Sequence, residues 1–431
     1  MRRFLLSMFI FTRLLMAQEP DSLSLQTAID MALKNNPDIL SFEQELAAAA
    51  GRVQQAKAWP DAEIGLSWGA VPGDFNLHEA DETAIGLTQN FEWPGKRRLR
   101  RIYAQQDEKE LQIRLQQLRR AIGAEIQRRY FRCAWRQKRI YSILRSQQLL
   151  QQWQQLVQQR YQARVSNYLD VLRGRIENAK IENERIGCEQ TLTADFSQLN
   201  QLLGYQTNRR WYLTDSLQFS PVEKDLQQYQ VRIKEQTLAV KIAQEQMLQA
   251  ETRLKIARQS GRPDFRIGLQ SQFLKGQPPY SANQYTGVDK NWYWGAELTI
   301  SLPLGTRRRV RGATMEAHAL YDQKSLALQV AERELQMAAV LAFERAQASE
   351  QQVRNVRSNL LTEVENQWQT ALTLYSTQQL NAFELVEFWR ALYETRAALD
   401  IALFNHCLAL IDLENVGDHL FPQGESNENN E

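Results

Sequence analysis

Two runs of arginine and lysine carry the densest charge in the chain: KRRLRR at residues 96–101 and RRRVR at 307–311. Guanidinium and ammonium groups at that density bind anions, phosphate above all. Nucleic acid, a lipid headgroup layer, or plain solvent around a helix start can each face such a run. A general polyanion binder needs a surplus of cations, and here 52 basic side chains meet 50 acidic ones. Base-stacking aromatics for a nucleic-acid partner would have to come from a strand, so no nucleic acid is expected. Both runs also follow an alternating apolar segment that ends in a breaker: FEWPGKRRLRR at 91–101 and LTISLPLGTRRRVR at 298–311. That recurrence points to the membrane surface, where basic clusters meet lipid phosphates.

Other reactive groups are sparse. Cys133, Cys188 and Cys407 are odd in number, and no pair has CxxC spacing, so neither a disulfide framework nor a zinc site is suggested. His78, His318, His406 and His419 are scattered, which gives no metal set. No Ser/His/Asp set or phosphate loop appears, so the chain reads as a non-enzyme with no cofactor.

The first residues read MRRFLLSMFIFTRLLMAQEP. Arg2 and Arg3, the apolar stretch from Phe4 to Phe11, and Met16-Ala17 have the layout of a secretory signal over residues 1–17, cut after Ala17. A buried N-terminal helix is the alternative. No Cys follows the apolar run, so lipid attachment there is not indicated. Past residue 20, no segment has the roughly 18 consecutive apolar residues of a spanning helix.

Two long stretches lack proline, from 95 to 220 and from 304 to 421, and glycine is also missing from Ala313 to Val416. Both can be mostly helix. Apolar residues recur at three- and four-residue steps at Leu111, Leu115, Leu118, Ile122, Ile126, Tyr130 and Cys133. Val353, Val356, Leu360 and Val364 repeat the spacing, which is that of a coiled coil or long bundle. A single helix of about 100 residues would span about 150 Å, so a hairpin is expected midway. YQARVSNYLDVL (161–172) and YSTQQLNAFELV (375–386) are the candidate turns. In each, Asn starts a box with an acid three residues on: Asn167 with Asp170, and Asn381 with Glu384. The two boxes are 214 residues apart.

Further matches pair Pro60-Asp61 with Pro263-Asp264, Leu87-Thr88 with Leu298-Thr299, and Arg97-Arg98-Leu99-Arg100 with Arg308-Arg309-Val310-Arg311. Two copies of one unit follow, at 18–212 and 213–421, with a polar tail at 422–431. Each copy reads helix, strand, loop, strand, helix, turn, helix.

Four segments alternate with period two. Ala62, Ile64, Leu66 and Trp68 form the first apolar row. Ile85, Leu87, Phe91 and Trp93 form the second, broken by Gln89. Phe265, Ile267, Leu269 and Phe273 form the third, with Ser271 out of pattern. Trp292, Trp294, Ala296, Leu298, Ile300 and Leu302 form the fourth. Each is about ten residues long, as transmembrane β-strands are, with Trp68, Trp93, Trp292 and Trp294 placed as an interface girdle. Loops 69–82 and 274–290 join them. Two soluble hairpins with one wet face are the alternative. A sheet in lipid must close, and four strands cannot, so copies of the chain must complete it. Two copies give a barrel filled by its own side chains; a conduit favours three, with twelve strands.

These residues resemble the TolC outer-membrane efflux family across nearly all of the mature chain. The matching stretches are LSLQTAIDMALKNNPDI (23–39), PDAEIGLSWG (60–69), GLTQNFEWPGKRRLR (86–100), YQARVSNYLDVLRG (161–174), GRPDFRIGLQ (261–270) and LTISLPLGTRRRVR (298–311). FEWPGKR looks most like the heavy-metal and cation efflux branch. The resemblance implies a mainly α fold with a β-barrel part. A long coiled-coil-like α-helical barrel would carry four membrane β-strands per chain, two internal repeats, and a homotrimer closing a 12-stranded barrel. It implies a passive exit duct in the outer membrane of a Gram-negative-type bacterium, with its helical part in the periplasm. Its partners would be the lipid bilayer, a periplasmic adaptor (membrane fusion) protein and an inner-membrane pump, of the RND type or another. Both candidate turns would then lie at the periplasmic tip. There Glu384 and Glu387 share a helix face, and a threefold axis would make them two acidic rings that favour cations. Helix capping is the plainer role for Glu384, and a solvated face for Glu387. Tyr375 and Asp170 match positions that hold the closed tip in relatives. Two departures stand out: Arg164 and Gln378 replace the usual tip glycines, and Leu380 stands where some members have a gate arginine. A secreted coiled-coil scaffold or adhesin without transport is the rival reading.

Overall fold

The computed structural model describes residues 22–69, 71, 77, 80, 82–205, 209–222, 225–274, 292–302 and 306–417. The expected signal at 1–17, the tail at 422–431, Pro303, His78, His419 and most of the two inter-strand loops lie outside them.

Where proline and glycine are missing, helix forms. After a two-residue strand β1 (Ser22–Leu23), the first repeat runs α1 (Leu25–Asn35), α2 (Pro37–Lys57), β2 (Ala62–Gly69), β3 (Glu82–Phe91), α3 (Lys96–Gln162) and α4 (Tyr168–Leu202). The second opens with β4 (Tyr212–Leu213) and runs α5 (Leu226–Gln236), α6 (Leu238–Gln259), β5 (Asp264–Leu274), β6 (Trp292–Ser301), α7 (Arg307–Asn355), a π-helical turn (Val356–Leu360), α8 (Leu361–Ser376) and α9 (Ala382–Val416). Two helices, rather than the one expected, precede each strand pair. β1 and β4 pair in parallel, Ser22 with Tyr212 and Leu23 with Leu213, so the boundary at 212/213 falls inside β4. Among the described residues no helix is long and apolar enough to cross a membrane.

The chain divides into two compact units. One comprises the chain up to Glu43, Leu115–Leu238 and the chain from Glu332 onward; the other comprises Gln44–Arg114 and Ala239–Ala331.

In the first unit, Ile126, Tyr130 and Cys133 of α3 are fully buried, as their spacing predicts. Val222, Tyr229, Ile233, Ala342, Phe343 and Leu410 form one core, closed by the Tyr229 hydroxyl donating to Leu413 O at 2.6 Å. A second core, at the α3–α4 and α8–α9 turns, gathers Val157, Val171, Ala371, Tyr375, Ala382 and Leu385. One expectation fails. The spacing puts Leu360 on the inward stripe with Val353 and Val364, yet it is exposed. The cause is the π turn: Leu361 N–H bonds to Val356 O, five residues back, so one extra residue per turn rotates the following stripe. Leu361 beside it is half-buried, and Val364 stays buried.

In the second unit, one antiparallel sheet has the order β2-β3-β5-β6. Its register sets Ile64 opposite Leu87, Leu87 opposite Leu269 and Leu269 opposite Ala296. The four apolar rows therefore share one face, and the polar rows share the other. Strand limits differ from the sequence reading. β3 ends at Phe91, so Trp93 lies past the strand, as Leu302 lies past β6; Gly69, Glu82 and Leu274, read as loop, are strand residues. Pro94 does not itself stop β3. Instead Asp264 Oδ1 takes the Trp93 N–H at 2.9 Å, drawing the chain out of the ladder. Pro94 and Gly95 then turn into α3, with Lys96 N–H bonding to Trp93 O at 3.1 Å. Gly95 has φ +101°, a left-handed conformation that side chains disfavour.

Candidate functional site

Two places carry the candidate residues. The first is the sheet. Its apolar face is exposed rather than covered: Ile64 is 73% and Trp294 83% accessible, and Leu66, Leu87, Leu269 and Leu298 are likewise open. A soluble sheet would cover or charge such a face. Aromatic rings mark both ends of it. Trp68 is the last apolar residue of β2, and Phe273 meets Trp292 with ring centroids 5.2 Å apart. At the other end Trp59 packs edge-on against Phe91, and Trp93 stacks on Phe265, each pair 5.6 Å apart. From Phe265 to Phe273 is about 27 Å along the strand, at about 3.4 Å per residue.

The two breaks in the apolar rows have local reasons. Gln89 lies at the sheet end and donates to Pro60 O (2.7 Å) and Asn90 O (3.0 Å). Ser271 is buried between its register partners Ile85 and Trp294. The opposite face is polar and linked across strands: Arg266 donates to Asn90 at 2.9 Å, and Asn90 to Glu63 at 3.3 Å. β2 and β6 are the sheet edges, each paired on one side only.

The second place is the pair of interhelical turns in the other unit. They are built alike. Val165 N–H reaches back to Arg160 O, and Gln379 N–H to Leu374 O, both at 2.9 Å, the closure of a Schellman motif. That motif needs a left-handed residue, and Arg164 (φ 59°) and Gln378 (φ 62°) supply it where glycine would be unstrained. Each new helix then starts on its asparagine. Asn381 and Glu384 form a full capping box, at 2.9 and 3.1 Å. Asn167 accepts from Leu169 N–H at 3.2 Å instead, which leaves Asp170 to Ser166 (3.3 Å) and Arg173 (3.5 Å).

Glu384 thus caps α9, and its charge suits a helix N-terminus. Glu387 is not on a solvated face alone: Arg390 binds both its oxygens, at 2.8 and 2.9 Å. Arg390 also donates to Glu177 of α4 at 2.9 Å. Burial alone would raise the Glu177 pKa, but Lys180 and Arg390 outweigh it and hold the carboxyl below its ordinary value. Deeper along α4 and α9, Arg139 and Glu184 bracket the Tyr393 hydroxyl, whose pKa burial pushes up. Tyr375 is buried, with the Arg160 guanidinium 4.2 Å from its ring centre and donating to its carbonyl at 3.2 Å. Its hydroxyl has no partner among the described residues, and no hydrogen bond joins it to Asp170.

Sequence reasoning missed Arg160, Glu177 and Arg390. The i,i+3 spacing of Glu387 with Arg390 could have revealed that pair. Arg160 with Tyr375, and Glu177 with Arg390, meet only through the fold.

Residues 28–205 match the family model described as outer membrane efflux protein. No curated protein matches the chain by sequence. Among solved structures, the fold is similar to that of CusC, described in terms of transmembrane channel formation, at TM-score 0.74 and 16% identity, over 91% of each chain. It is also similar to the outer membrane protein VceC of Vibrio cholerae, at TM-score 0.75 and 15% identity, over 92% of this chain and 97% of that one. The open-state MtrE outer membrane channel of Neisseria gonorrhoeae has TM-score 0.71 and 12% identity, over 92% of this chain and 89% of that one.

Proposed function

We propose that this chain, with the outer membrane efflux protein pattern over residues 28–205 and the fold of the solved channels, is an outer-membrane exit duct. The observation that carries the reading is the sheet: one exposed apolar face between two aromatic borders, one polar face, and two unpaired edges. The apolar face meets lipid, with Trp68, Trp93, Trp292 and Trp294 at its two borders, and the polar face lines a lumen. A homotrimer closes the barrel, and the helical hairpins stand in the periplasm. Conduction is passive. Energy comes from an inner-membrane pump, of the RND type or another, reached through a periplasmic adaptor protein.

At the tip, three copies of Glu384 form an acidic ring that favours cations. Their capping bonds hold each carboxylate in place. Glu387 adds less, because Arg390 offsets its charge. Tyr375 and Asp170 belong to the closing element, held here by Arg160 and Arg173 rather than by each other.

The experiment is fractionation followed by planar-bilayer conductance. The protein should partition with outer membranes and need detergent. A water-soluble monomer after signal removal would instead support the scaffold reading. Glu384→Gln should lower cation preference more than Glu387→Gln does; unchanged selectivity in the double variant removes the ring.

A further inference from the structure

The start of α3 is electrostatically wrong for a helix. Its first turn holds no acid, yet five of its first six residues are cations, placed where the helix dipole is already positive. Two of the five are neutralised within the chain: Lys96 by Asp264 (2.9 Å), and Arg100 by Glu92. Arg97 Cζ lies over the Trp59 ring, 3.6 Å from its centre, with no acid partner among the described residues. Arg98 and Arg101, with Lys57 at the end of α2, also have none among the described residues. These four cations and two indoles, Trp59 and Trp93, line a pocket of about 310 Å³. Glu92, the acid at its edge, is taken by Arg100.

The aromatic walls tie this pocket to the apolar face of the sheet. Trp59 packs on Phe91 and Trp93 on Phe265, and those two phenylalanines are register partners. A molecule held here would have its charged end against cations and its apolar end along the sheet. The second repeat keeps the basic run but not the walls: Trp59 aligns with Arg262 and Trp93 with Leu304.

We propose that this pocket binds the phosphodiester headgroup of an anionic lipid. The inference rests on the membrane reading above. The contact with Trp59 holds the Arg97 guanidinium at the pocket wall, where its N–H groups can donate to phosphate oxygens. Arg98, Arg101 and Lys57 add the charge that distinguishes an anionic lipid from a zwitterionic one.

The test uses the full-length protein purified in detergent, with native mass spectrometry to count retained lipid. Phosphatidylglycerol should be retained several-fold over phosphatidylcholine. Arg98→Gln with Arg101→Gln should abolish that preference. Arg308→Gln with Arg309→Gln, in the run without aromatic walls, should leave it intact. Excess inorganic phosphate should not displace the lipid. Equal retention of both lipids by the unmodified protein overturns the proposal, whatever the variants do. So does an equal loss in both double variants, which would mean diffuse attraction, or displacement by inorganic phosphate, which would mean a free-anion site. A protein that needs no detergent sinks the membrane reading itself; one that needs detergent but shows no lipid preference sinks only the pocket.

Discussion

Arg164 and Gln378 sit in the left-handed region, which costs a side chain about 1 kcal/mol that glycine does not pay. Arg164→Gly with Gln378→Gly should therefore raise the thermal midpoint of the detergent-solubilised protein, and a lowered midpoint would mean that these side chains make contacts worth more than the strain. The departure from glycine at both turns was visible in the sequence, as were both asparagine caps. The partners were not, because Glu177 and Arg390 are 213 residues apart. Their pairing gives a pH prediction. The Glu177 pKa is lower folded than unfolded, so its contribution is complete above the ordinary carboxylate value near 4.5 and is lost as pH falls through the folded value. Glu177→Gln should cost about 1–2 kcal/mol at neutral pH, discounted from a fully buried pair because Arg390 is one-third exposed. The same variant should flatten the loss of stability below pH 4.5, measured by thermal melts across the acid range.

At the scale of elements, period-two alternation made the sheet readable, and the register bears it out: Ile64, Leu87, Leu269 and Ala296 line up across all four strands. What the pattern could not give was the ends. The exit of β3 is set by a carboxylate from the second repeat, Asp264, which no local signal announces. The π turn at 356–360 was equally silent, since its residues keep the apolar spacing while the backbone shifts their phase. The two faces of β3 make opposite predictions. Leu87→Arg should cost about 2–4 kcal/mol near the bilayer midplane, whereas Thr88→Arg, one residue on and facing the polar side, should cost little. Yield of folded protein in the outer-membrane fraction measures both; equal losses would mean that the two faces see the same environment.

For the whole molecule, the sheet's own geometry limits how copies of the chain can join. Neighbours alternate in direction through β2, β3, β5 and β6, so β2 and β6 run oppositely. A β6 edge can therefore meet the β2 edge of the next copy antiparallel, and the same contact repeats head to tail until the ring shuts. Strand count per chain leaves the copy number open. Two copies make a barrel filled by side chains, and three leave a lumen. Disulfide mapping separates these outcomes. Cys133 and Cys407 have thiols that burial pushes up to about 12 and about 11, so they stay inert at neutral pH, and replacing them and Cys188 with alanine removes any residual background. One cysteine introduced in β2 and one in β6, scanned along both strands, should then give a covalent ladder in intact outer membranes that stops at three chains. A ladder ending at two would fill the lumen and end the conduit, and one running past three would mean an open or larger ring.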